Sequence, residues 1–114
     1  MRSLREEEFL LLQALLQQVP HDTRLSLDQK PLVEDMNDGG MGSIRFVEQD
    51  AVDRKMGSEL IAARYIDSDQ VPVLISINLD QKGRLFEIDF WKVDFSKLNR
   101  YPTPDDLQCA PQAG

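Results

Sequence analysis

Val71, Val73, Ile75, Ile77 and Leu79 share one parity along a single run, and all but the last are β-branched. Alternation of this kind is the two-residue period of a strand with one buried face. A second run, RLFEIDFWKVDF from Arg84 to Phe95, alternates in the same way. Phe86, Ile88 and Phe90 fall on one parity, and Glu87, Asp89 and Trp91 on the other. Between the runs lies Asp80-Gln81-Lys82-Gly83, a D-x-x-G turn whose glycine suits the left-handed position of a hairpin. Two neighbouring strands with one oily face each require a cover, and they restrict the chain to a sheet-based fold.

The cover is readable near the start. Phe9, Leu12, Leu16 and Val19 step by helical spacing, with Leu11 and Leu15 alongside. Ser3 and Glu6 have capping-box spacing, Glu6 to Glu8 suit the positive end of the dipole, and Pro20 ends the run. These signals predict a helix over 4–18. Leu32 to Met36 and Ser43 to Val47 look extended, with Asn37-Asp38-Gly39-Gly40 as the turn between them. Glu59 to Ile66 is a further strand, closed by Asp67-Ser68-Asp69, although its parity is not clear. The fold class is α+β: an antiparallel β-meander of about five strands with the N-terminal helix packed on one face. Residues 1–98 form one domain, and 99–114 read as a proline-rich C-terminal tail.

The other face would show Ser76 and Asn78 beside Glu87, Asp89 and Trp91. Two carboxylates on one strand, about 6–7 Å apart, could serve acid–base chemistry or a metal. Such chemistry also needs a cleft and further ligands, which a strand face does not supply. His21 is the sole histidine, and Cys109 the sole cysteine, with no cationic neighbour. No nucleophile elbow is present, and NDGGMGS lacks the lysine of a phosphate loop. The reading is therefore no enzyme, no cofactor and no metal. An enzyme built on Glu87 and Asp89, with Asp94 or Asn78, is the least favoured alternative.

The chain of 114 residues carries 13 basic and 20 acidic groups, a net charge of −7. Such a surface repels nucleic acid and anionic lipid and suits a basic protein partner. No apolar stretch reaches membrane-spanning length, and the start lacks a basic n-region, so a cytoplasmic protein is expected. Trp91 has the size and polar handle of a binding hot spot; the opposite reading buries it beneath the tail against Tyr101 and Pro102. The residues expected to face a partner are Glu87, Asp89, Trp91, Asn78 and Tyr65. An acidic loop at Glu34, Asp35 and Asp38 is a second candidate surface.

Three segments, REEEFLLLQALL, NDGGMGSIRF and LISINLDQKGRLFEIDFWKVDFSKL, together resemble a group of small uncharacterised bacterial α/β proteins. Members look like a helix, a D-G-G-M-G-S turn and an L-x-E-[LI]-D-x-[WF]-K strand, which is Leu85 to Lys92 here. The likeness implies a compact accessory domain. In size and acidity the chain is also similar to immunity proteins of polymorphic toxins. That similarity implies an antitoxin that occludes a cognate toxin without catalysis. The alternative is a general interaction or regulatory module, possibly homodimeric.

Overall fold

The computed structural model describes residues 2–19, 31–37, 39–47 and 55–109. Asp38, residues 20–30 and residues 48–54 lie outside them. The described elements are β1 (Arg2–Ser3), α1 (Glu6–Leu16), β2 (Leu32–Asp35), β3 (Ile44–Phe46), β4 (Met56–Ile66), β5 (Pro72–Asp80), β6 (Leu85–Lys92), a 3-10 turn (Pro104–Asp106) and β7 (Gln108–Cys109). All strands join one antiparallel sheet in the order β1-β2-β3-β6-β5-β4-β7. The α+β class and the single covering helix are as expected. The strand count is higher than about five, because two-residue strands line both edges.

The sheet is not one continuous meander. β4, β5 and β6 follow each other, but the β2–β3 hairpin docks on β6 instead of β4, with Ile44 opposite Ile88 and Arg45 opposite Glu87. This places Ile44 and Phe46 on the same buried face as Ile88 and Phe90. It also makes β6, the last long strand in the chain, the centre of the sheet.

The helix begins two residues later than the Ser3 cap predicts. Ser3 is taken into β1 opposite Leu32, so the cap position falls to Arg5. The Glu8 carboxylate accepts the Arg5 backbone N–H at 2.8 Å. It also accepts two hydrogen bonds from the Arg2 guanidinium, at 2.7 and 2.9 Å. Glu8 is buried, and burial alone would push its carboxyl up; the Arg2 hydrogen bond and the Arg5 N–H outweigh that and hold it below its ordinary value. Leu11, Leu12, Leu15 and Leu16 then pack into the core with Val73, Ile75, Ile77, Ile88 and Phe90 from the sheet.

Gly83 ends the β5–β6 turn at φ +80, as the D-x-x-G signal predicts, and donates its N–H to Asp80 C=O. Gly57 has a different reason to be glycine. A Cβ there would stand 2.5 Å from the Asp80 carbonyl oxygen. β4 carries two irregularities, between Met56 and Ser58 and between Glu59 and Ile61. A further one falls where β5 meets the start of β6, and it takes Phe86 out of the central core cluster. Phe86 is buried instead beneath the Arg45 guanidinium, 4.8 Å from its ring centre.

The core also holds a full ion pair. Lys92 is completely buried, and its ammonium donates to Asp67 Oδ2 at 2.9 Å, Asp69 Oδ2 at 2.7 Å and Lys97 C=O at 2.8 Å. All three ammonium protons are thus matched. Asp67 also accepts the backbone N–H groups of Ser68, Asn99 and Arg100 at 2.7, 2.9 and 3.0 Å. Burial would raise its carboxyl; the N–H of Asn99, the Lys92 ammonium and the other N–H groups outweigh it and hold the group at about 2. This cluster pins the β4–β5 turn to the chain after β6. The described part of the tail, 99–109, continues over the sheet: Tyr101 packs on Phe90 at 5.4 Å between ring centres, and β7 pairs with Ala63 and Arg64.

Candidate functional site

Trp91 and Lys92 are neighbours on β6 and point to opposite faces. Lys92 is sealed in the core while Trp91 stands 44% exposed on the face that α1 does not cover. Tyr101 lies on the core side with Phe90, so Trp91 is not buried beneath the tail.

The register arranges the uncovered face in rows across the strands. The first row is Ile66 and Pro72, joined by Val93 through its N–H to the Pro72 carbonyl at 3.1 Å. The second is Arg64, Leu74 and Trp91; the third is Ala62, Ser76 and Asp89. The fourth runs Glu59, Asn78, Glu87, Arg45, Glu34 across five strands. The face therefore passes from apolar to charged along the strand direction.

The apolar end has a second aromatic ring. Phe95 meets Trp91 edge to face at 4.8 Å between ring centres and is 63% exposed. Its backbone φ is +64, in the left-handed region that bulky residues avoid. The turn is held from both sides. Phe95 donates its N–H to Lys92 C=O at 2.9 Å, and Asp94 accepts the Ser96 hydroxyl and N–H at 2.6 and 3.0 Å. The Ser96 hydroxyl, with its N–H, holds the Asp94 carboxyl below its ordinary value. Strain of this type persists only where the surroundings over-determine it, and it clusters at functional positions.

Beside the aromatic pair is a hollow of about 610 Å³. Leu74, Ser76 and Ala62 form its floor, Trp91 and Asp89 its β6 side, and Glu59, Arg64 and Gln108 the opposite side. Asp89 accepts the Ser43 hydroxyl at 3.4 Å, and Arg64 Nε lies 3.4 Å from Gln108 Oε1.

Of the residues expected to face a partner, Trp91 and Asp89 lie on the uncovered face, Trp91 exposed and Asp89 half-buried. Glu87 and Asn78 lie on the expected face but are buried, and they bond each other, Asn78 Nδ2 donating to Glu87 Oε1 at 3.0 Å. The cause is β3, whose Arg45 comes within 3.6 Å of Glu87 Oε2 and covers that part of β6. Tyr65 is on the other face, 2% exposed, and donates its hydroxyl to Arg100 C=O at 3.0 Å. The irregularity between Glu59 and Ile61 shifts the parity of β4 and turns Ile61, Ala63 and Tyr65 inward. Burial pushes the Tyr65 phenol above its ordinary range. In the acidic loop, Asp35 takes two hydrogen bonds from Arg2, at 2.6 and 3.1 Å, and Glu34 is exposed opposite Arg45. Asp38 is outside the described residues.

Phe95, Leu74, Ile66 and Val93 are site residues that the sequence reading did not single out. Phe95 and Val93 continue the odd parity of Trp91, which was the available signal. Among the described residues no cluster of three or more His, Cys, Asp or Glu could hold a metal ion, and no helix is long and apolar enough to cross a membrane.

No curated protein and no solved structure matches the sequence significantly. Residues 1–102 match the family described as a domain of unknown function, DUF6984, and the chain belongs to that family.

Proposed function

We propose that this chain is a non-catalytic protein-binding domain whose uncovered sheet face docks on a basic partner, as an immunity protein docks on its toxin. The observation that carries this reading is the aromatic pair Trp91 and Phe95, exposed on an open face and held there against backbone strain. Ile66, Leu74 and Val93 surround the pair with further exposed apolar surface. Aromatic anchors within an apolar patch supply most of the energy of a typical interface. Asp89, Glu59 and the net charge of −7 would steer a cationic protein to them and speed its encounter. Glu87 adds little to this role, because it is buried and Asn78 and Arg45 already engage its carboxylate.

The test is co-expression with the product of the adjacent reading frame, followed by co-purification and a growth assay. The wild type should rescue growth and co-purify. Trp91→Ala and Phe95→Ser should weaken the complex about thirtyfold each, the scale of a hot-spot truncation. Leu10→Ser, an exposed apolar position on α1, should leave it unchanged. A harmless neighbour, or binding lost with Leu10→Ser and kept with Trp91→Ala, would reject the reading.

A further inference from the structure

The hollow beside Trp91 lies along the gradient of the open face. Leu74 and Trp91 expose apolar surface, and one row along, Ser76 faces Asp89 across β5 and β6. Adjacent rows are about 7 Å apart, two residues of strand rise. A side chain lying along the strands would rest its stem on Leu74 and Trp91 and bring its head to Ser76 and Asp89. A long side chain with an apolar stem and a cationic head fits that succession of surfaces. The indole face of Trp91 attracts a cation, and the Asp89 carboxylate can accept its hydrogen bonds. A guanidinium meets both demands together, because it is planar and forked.

On the docking reading above, we infer that this hollow is a recognition pocket for an arginine side chain of the partner. Glu59 on the far side adds a second negative charge. Arg64, also on the far side and set against Gln108, confines an incoming cation to the β6 side. A second copy of this chain is a poor occupant, because two anionic surfaces of net charge −7 would meet.

Trp91 is the chain's one tryptophan, so its emission reports on this pocket alone. The probes are an acetylated, amidated glycine–arginine peptide and its citrulline counterpart, which keeps the shape and removes the charge. The arginine peptide should change the emission saturably, and the citrulline peptide should bind at least about tenfold more weakly, the scale of a lost charged hydrogen bond. Asp89→Asn and Glu59→Gln should each weaken arginine binding, Asp89→Asn by about tenfold. Glu59→Gln is exposed and keeps the test valid if Asp89→Asn disturbs the Ser43 contact. Arg64→Gln should tighten binding, which a purely structural role for Arg64 would not produce. Equal binding of both peptides, no binding of either, or indifference to Asp89 and Glu59 overturns the pocket. Dilution-dependent emission without peptide would instead assign the face to a second copy and also overturns it. These failures leave the docking reading standing if Trp91→Ala still releases the co-purified partner.

Discussion

Replacing Asp67 with asparagine removes one charge from the core and leaves its shape unchanged. In the native chain one carboxylate oxygen accepts the Ser68 and Arg100 N–H groups, and the other accepts Asn99 N–H and the Lys92 ammonium. An amide has one acceptor oxygen, so whichever way it turns, its NH2 faces two donors. Two hydrogen bonds are lost along with the charge. Breaking a buried ion pair from one side costs about 3–5 kcal/mol. The lower end applies here, because Asp69 still engages the ammonium at 2.7 Å. A loss of about 3 kcal/mol in a chain of this length lowers Tm by about 12 °C, at about 4 °C per kcal/mol. Thermal unfolding followed by circular dichroism and by Trp91 emission measures it. A shift below about 3 °C would refute the role assigned to this cluster, because the neutral group would then hold the turn as well as the ion does.

The same carboxyl sets an acid limb. Its folded value of about 2 lies below the ordinary 3.8, so its contribution is present above about pH 4 and is lost as pH falls toward 2. Denaturant midpoints across that window should fall in the wild type and fall less steeply in Asp67→Asn, whose remaining slope comes from other depressed carboxyls such as Glu8 and Asp94. Phe95→Gly should leave stability unchanged or raise it by up to about 1 kcal/mol, since relief of about 1–2 kcal/mol of left-handed strain offsets the lost ring contact; a loss above about 1 kcal/mol in urea denaturation would count against strain at this turn. Gly57→Ala should cost about 2 kcal/mol by the same assay, because its Cβ meets the Asp80 carbonyl.

What was legible in the sequence is what depends on local period. The alternation of 71–79 and 84–93 fixed two strands, their shared buried face and the neighbourhood of Ser76, Asp89 and Trp91. The apolar helical stripe fixed α1, and D-x-x-G fixed the turn at Gly83. Period fails where a strand carries an irregularity. β4 changes parity between Glu59 and Ile61, so no count of alternation could have turned Tyr65 inward. Phe86 is displaced in the same way at the start of β6. Long-range pairing was also hidden. Nothing in the β2–β3 hairpin says that it docks on β6, and without that docking Glu87 looks exposed. Lys92 reads as one more polar strand end until Asp67, Asp69 and Lys97 are brought round it.

The position of β6 has a consequence for synthesis. The central strand is made after nearly everything it joins: β1, β2 and β3 reach the rest of the sheet only through it. As the nascent chain emerges, the first hairpin has only the two-residue β1 beside it until residue 92 has left the ribosome. The oily stripe of α1 meets β4 and β5 earlier and waits only for the β6 part of its floor. Translation therefore runs ahead of assembly, and the sheet closes in one late event that unites both halves around the strand carrying Trp91.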